Sequence, residues 1–141
     1  MSDQNMQVEM SINIKAYDID AMGIVSNIVY IRWFEDLRHL FLDKYYPYDV
    51  MMGDGISPIL MKTEVSYKSP LIISDHPTAI CKIVNLGNSK WEMEFVVKSK
   101  DTIHCTGKQL GCFYNLKTRK TSPVPSILRE AYNELKQASQ N

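Results

Sequence analysis

The sequence predicts an α+β fold in which one long helix lies against an antiparallel sheet. Three observations predict it. Early in the chain Val8, Met10, Ile12, Ile14 and Ala16 alternate with polar residues, the period of a strand with one wet face. A longer apolar segment follows from Ser26, with Ile28, Ile31, Phe34, Leu37 and Phe41 three or four residues apart, the period of a helix. Further strand-like segments then come in succession, divided by turn residues. A helix layer over one antiparallel sheet buries the apolar face of each.

The first strand ends at "YDIDAMG", a loop marked by Asp18, Asp20 and Gly23. Ser26 is the expected N-cap of the helix, which should end between Lys44 and Pro47. Val29, Tyr30 and Trp33 widen its apolar face, so cover on more than one side is expected. "PYDVMMGDG" reads as a loop broken by Gly53 and Gly55.

Ile59, Met61, Thr63, Val65 and Tyr67 then alternate as a strand, and "KSPLIISD" reads as its end and a turn. His76 to Leu86 is a strand by its Thr, Ile and Val content, and "GNS" turns the chain. Trp91, Met93, Phe95 and Val97 alternate with Lys90, Glu92, Glu94 and Lys98. "SKDT" turns again, and His104 to Asn115 is the last long strand. Gly107 and Gly111 inside it predict bends or the close approach of another backbone. "KTRKTSPVP" reads as a tail loop, and Ile127, Leu128, Ala131 and Leu135 predict a short amphipathic C-terminal helix. Four consecutive strands joined by short turns predict a meander, which with the first strand makes a five-stranded sheet.

A chain of 141 residues suits one domain spanning 1–141. The 45% hydrophobic and 23% charged content is that of an ordinary globular protein. Sixteen basic residues balance sixteen acidic ones, which argues against a nucleic-acid groove or an anionic membrane surface as partner. Cys81, Cys105 and Cys112 form no Cys-x-x-Cys pair and read as free thiols of a reducing, cytoplasmic compartment. The stretch "MSDQNMQVEM" is polar and acidic, unlike a signal peptide. No run reaches the roughly 18 apolar residues of a membrane span.

The chemistry concentrates in "YDIDAMGIVSNIVYIRWFE". Acids at the mouth of an apolar helix are solvated or have work to do, because burying charge is costly. A carboxylate can attack an electrophilic carbon or activate a water. A helix N-terminus offers unpaired N–H groups and the positive end of a dipole to a developing oxyanion. Taken alone, however, two loop aspartates more often only shape a turn.

The same stretch resembles the signature of the 4-hydroxybenzoyl-CoA thioesterase-like family of acyl-CoA thioesterases. Tyr17, Asp18, Asp20, Gly23, Val25, Asn27, Tyr30, Phe34 and Glu35 fill it. "VSYKSPLIISD" resembles the family's strand and turn, and "NLKTRKTSPVP" the end of its last strand. The likeness runs over about residues 8 to 130. It implies the hotdog fold, a sheet wrapped around a central helix. It also implies an acyl-CoA substrate, no cofactor, no metal, and a homodimer or a tetramer built as a dimer of dimers.

On this resemblance Asp20 matches the catalytic carboxylate, as nucleophile or general base, and the Asn27 N–H matches the donor to the thioester carbonyl. Asp18 is structural. Gly23, Val25, Tyr30 and Lys90 are the expected substrate contacts, although ordinary packing accounts for Tyr30 and Phe34 as well. The turn "LGNSK" carries only Lys90 where some members place a basic cluster for coenzyme A phosphates. Lys62, Lys68 and Arg119 are further candidates, and an isolated lysine is usually a solvated charge, so the nucleotide end stays open.

Other chemistries fit less well. His39, His76 and His104 lack metal-ligand spacing. No histidine lies between Met1 and Arg38, where hotdog dehydratases carry theirs. No Gly-x-Ser-x-Gly elbow or Gly-rich phosphate loop occurs. Two alternatives remain: a hotdog protein that binds acyl groups without cleaving them, and a thioesterase acting on acyl carrier protein. Asp20 weighs against the first, since a pure binder needs no acid beside the carbonyl.

Overall fold

The computed structural model describes residues 6–140. Residues 1–5, half of the polar N-terminal stretch weighed above against a signal peptide, lie outside the described residues. In chain order come β1 (Gln7–Ser11), a 3-10 turn (Ala16–Asp18), α1 (Asn27–Tyr45), α2 (Tyr48–Asp54), β2 (Ile56–Tyr67), β3 (Thr78–Leu86), β4 (Lys90–Ser99), β5 (Thr102–Asn115), β6 (Lys120–Ser122) and α3 (Ser126–Gln140). Strand order across the sheet is β1-β3-β4-β5-β2, every pairing is antiparallel, and the short β6 adds to β5. The sheet wraps α1, which gives the hotdog fold.

Alternation decides which side of each strand meets α1. Trp91, Met93, Phe95 and Val97 of β4 are all buried, as are Ala79, Cys81 and Ile83 of β3. The buried stripe of α1 is Val29, Tyr30, Trp33, Phe34, Leu37 and Phe41. Phe34 and Leu37 are fully buried, each contributing about 1.5–3 kcal/mol by removal from water. Phe34 stacks on Phe95 with ring centroids 4.5 Å apart. Beneath it lies Gly107, where a Cβ would collide with the Phe34 ring. The predicted close approach at this glycine is therefore made by a side chain.

Four expectations are corrected. β2 does not continue into a meander with β3: it pairs with β5 at the far edge of the sheet. The cause is the link 68–77, which is too long for a hairpin turn and crosses the end of the sheet. The Lys68 N–H donates to the His104 carbonyl at 2.9 Å, and the Ile12 N–H to the Pro77 carbonyl at 2.9 Å. "PYDVMMGDG" holds the helix α2, started at Pro47 and stopped by Gly55 in the left-handed region at φ 67°. The tail loop contains β6. Ile28 and Ile31, expected in the buried stripe, are 58% and 37% exposed, because the sheet covers only one side of α1. Among the described residues, no helix is long and apolar enough to cross a membrane.

Candidate active site

Asp18 and Asp20 serve different local ends. Asp18 is buried. Its Oδ2 accepts the Lys15 N–H at 2.9 Å, and its carbonyl accepts the Ser26 N–H at 2.9 Å. It ties the 3-10 turn to the residue preceding α1, a structural duty. Asp20 is exposed at the next bend. Its Oδ1 accepts the Met22 N–H at 2.8 Å and the Ile24 N–H at 3.4 Å. The Asp20 N–H donates to Ile24 O at 2.8 Å, and the Gly23 N–H to Asp20 O at 3.0 Å. Gly23 closes the bend at φ 81°, a region where a Cβ is strained. These bonds fix the Asp20 side chain through Oδ1 and leave Oδ2 without a protein partner among the described residues.

An antiparallel bridge between Ile19 and Val25 folds the Asp20 bend back toward the start of α1. Ser26 is the N-cap, as its residue type predicts, yet its side chain makes no capping bond. The backbone positions it instead, through Asp18 O. The Val29 N–H turns back to Ser26 O at 3.0 Å. Among the described residues, the Asn27 and Ile28 N–H groups have no acceptor. Open donors at a helix N-terminus next to a fixed carboxylate can polarise a carbonyl while the acid, or a water it activates, attacks.

The remaining candidates separate. Val25 is 2% exposed, with its N–H on Leu71 O at 2.9 Å, so its side chain belongs to the core. Tyr30 is 3% exposed and meets Trp33 and Tyr67 edge-on, at 5.2 and 5.4 Å between centroids. Burial, with smaller contributions from Cys105, Tyr67 and Asp75, pushes the Tyr30 hydroxyl up to about 12, so it stays protonated. Lys90 pairs with Cys112, whereas Tyr67 at the α1 end pairs with Cys105. Seven residues of β5 separate those rows, roughly 23 Å, and the structure does not bring Lys90 to Asp20. It lines instead a cleft of about 370 Å³ with Asn85, Asn88 and Glu92.

A groove of about 580 Å³ runs beside the acidic loop, between the end of β1 and α1, past Lys15, Tyr17, Asp18, Arg32 and Trp33. A larger one, of about 600 Å³, lies on the outer face of the sheet over Lys82, Glu94 and Lys108, and takes in none of the acidic-loop residues. All three cysteines are free and buried. Burial pushes the Cys81 and Cys105 thiols up to about 12, which keeps them protonated and poorly nucleophilic. Among the described residues, no three His, Cys, Asp or Glu side chains gather as a metal-binding group.

Sequence reasoning missed Tyr67 as a site residue. Its hydroxyl donates to the Asn27 carbonyl at 2.9 Å. The only signal was its place in "VSYKSPLIISD", where it reads as one strand residue among several.

The model of the thioesterase-like superfamily matches residues 14–132. A putative esterase of Aquifex aeolicus is 27% identical over 124 residues, covering 87% of this chain and 93% of the relative. The long-chain acyl-CoA thioesterase FadM of Escherichia coli is 21% identical over 130 residues, covering 91% and 98%. A Staphylococcus aureus protein solved in complex with CoA superposes with a TM-score of 0.86 at 14% identity, covering 94% of this chain and 85% of that one.

Proposed function

The chain belongs to the thioesterase-like superfamily, and from that premise we propose that it hydrolyses acyl-CoA thioesters to the free acid and coenzyme A. The carrying observation is Asp20, held through Oδ1 with Oδ2 free, on a bend folded back toward two open amides of α1. The thioester carbonyl points at the Asn27 N–H, which stabilises the oxyanion as the carbon becomes tetrahedral. Either Oδ2 attacks that carbon, expelling the CoA thiolate and leaving an anhydride that water cleaves, or it takes a proton from the attacking water. Gly23 lets the bend close. Tyr30 and Val25 hold the wall behind it rather than touching solvent. The CoA-bound and acyl-CoA-cleaving relatives support CoA as the carrier. The three buried free thiols fit a reducing cytoplasm.

Thiol release from a panel of aromatic, short-chain and long-chain acyl-CoA substrates tests the reading. Turnover of at least one class is expected. Tight acyl-CoA binding with no turnover anywhere in the panel means a binding protein instead.

The same reading makes the working unit a homodimer or larger. Among the described residues β2 is an edge strand with one side unpaired, and a long open edge invites pairing. Ile59, Leu60 and Met61 on it are exposed, as are Ile28 and Ile31 on α1. A second copy covers this apolar surface. Light scattering at micromolar concentration should give at least twice the 16.3 kDa of the chain. A monomer under those conditions removes this part of the proposal.

A further inference from the structure

We propose that Tyr67 is a positioning residue for hydrolysis: its hydroxyl fixes the first turn of α1 and thereby the aim of the Asn27 and Ile28 N–H groups. The proposal rests on the thioesterase reading above and adds to it a residue outside the acidic motif.

The argument starts from what holds that turn. Helix ends fray, and a side-chain cap is the usual restraint. Ser26 supplies none. Two bonds from the segment 67–71 stand in its place, on either side of the Ser26–Asn27 peptide. The Tyr67 hydroxyl donates to Asn27 O at 2.9 Å, and Leu71 O accepts the Val25 N–H at 2.9 Å. The segment is itself anchored to the sheet. The Lys68 and Ser69 N–H groups both reach His104 O, at 2.9 and 3.2 Å. His104 Nδ1 bonds Ser69 O at 3.1 Å, and its Nε2 bonds Ser99 Oγ at 2.5 Å. Residues 67–71 thus form a strap, fixed to β4 and β5 and gripping the helix start at two points.

Packing alone does not account for Tyr67. The residue is 44% exposed, and its ring meets Tyr30 edge-on. The directed contact is the hydroxyl. Its acceptor, Asn27 O, already serves the helix ladder at its outermost turn, so the added bond governs orientation more than cohesion. Donation to Asn27 O also polarises the Asn27–Ile28 peptide and sharpens the Ile28 N–H as a donor. Burial, then the neighbouring Cys105, raise the pKa of the Tyr67 hydroxyl above that of an ordinary tyrosine, so it remains a donor across the working pH range.

Tyr67→Phe removes the hydroxyl and keeps the ring. Tyr114→Phe is the control. Tyr114 also donates its hydroxyl to a backbone carbonyl, that of Arg119 at 2.6 Å, but it lies nine residues along β5 from the Tyr67 partner Cys105, roughly 30 Å away. On the best acyl-CoA of the panel, Tyr67→Phe should lower kcat about 10-fold with KM within twofold. That is less than the 10²–10³ of a deleted oxyanion donor, because the donor survives with a looser aim. Tyr114→Phe should leave both constants unchanged. Hydrogen exchange at the Ile31 N–H, which closes the first turn onto Asn27 O, should quicken in Tyr67→Phe and not in the control. Wild-type kcat in Tyr67→Phe, an equal loss in Tyr114→Phe, or unchanged exchange overturns the proposal. Exchange reads the tether even without turnover. Failure of the thioesterase reading is distinct: wild type inactive throughout the panel.

Discussion

Asp20→Asn is expected to lose at least ~100-fold in kcat while the protein folds and assembles as before, the usual scale for a lost acid–base group. The substitution keeps the side chain's size and its Oδ1, so the bonds from the Met22 and Ile24 N–H groups can persist and the bend should hold. What is lost is the anionic charge and the free Oδ2. An amide neither attacks a thioester at a useful rate nor takes a proton from water. KM should change little, because binding energy from the CoA moiety lies away from the reacting carbon. Steady-state kinetics on purified variant, with the thermal midpoint measured beside it, decide the matter. Near-full turnover removes Asp20 from the chemistry and returns it to turn-shaping. Asp18→Asn is a useful contrast. Asp18 is buried and bonded to the Lys15 N–H, so its loss should appear first in stability and only through that in rate.

Local pattern carried the fold a long way, and its failures have a common physical origin. The alternation of Trp91, Met93, Phe95 and Val97 predicts four inward side chains, and all four are buried. Ser26 predicts the helix start to the residue. Periodicity speaks only about neighbours along the chain, however. The place of β2 beside β5 is set by where the link 68–77 finds its hydrogen bonds, which no local spacing encodes. Ile28 and Ile31 fit the helical apolar stripe yet remain exposed, because period does not say how many sides of a helix the same chain can cover. The glycines of "PYDVMMGDG" weigh as breakers and predict a loop where α2 forms. Here Gly55 acts as the stop signal of a short helix.

The site divides in the same way. Asp20 and Asn27 lie in one continuous stretch whose resemblance to a known signature makes both legible. Tyr67 is 40 residues from its partner Asn27, and no residue type in "VSYKSPL" announces which carbonyl its hydroxyl will find. Val25 shows the converse limit. It fills its place in the signature, yet its side chain is turned into the core, so a motif position need not be a contact position.

Gly111→Ala is expected to be strongly destabilising for the addition of a single methyl. Gly111 lies on β5 between Trp91 of β4 and Leu60 of β2. A Cβ there would meet the Trp91 ring and the Ile59 carbonyl. Neither can yield easily. Trp91 is 5% exposed, its Nε1–H donates to the Cys112 carbonyl at 3.1 Å, and the Arg38 guanidinium lies 5.8 Å from its ring. Ile59 O is backbone, held next to the irregularity between Leu60 and Lys62 in the β2–β5 ladder. Relief therefore requires tilting a buried indole or parting two strands, and overpacking of this kind costs about 3 kcal/mol. For a domain of this size that is a fall of roughly 10 °C in Tm. Gly53→Ala is the matched comparison: it lies within α2, nothing stands within 4 Å of the added methyl, and it should hold or raise Tm, since alanine favours a helix by about 1 kcal/mol. Calorimetry of the three proteins at one pH reads both. A Gly111→Ala midpoint within 2 °C of wild type would mean that the Trp91 ring swings aside freely. The close fit of β4, β5 and β2 at this end of the sheet would then not be what keeps the glycine there.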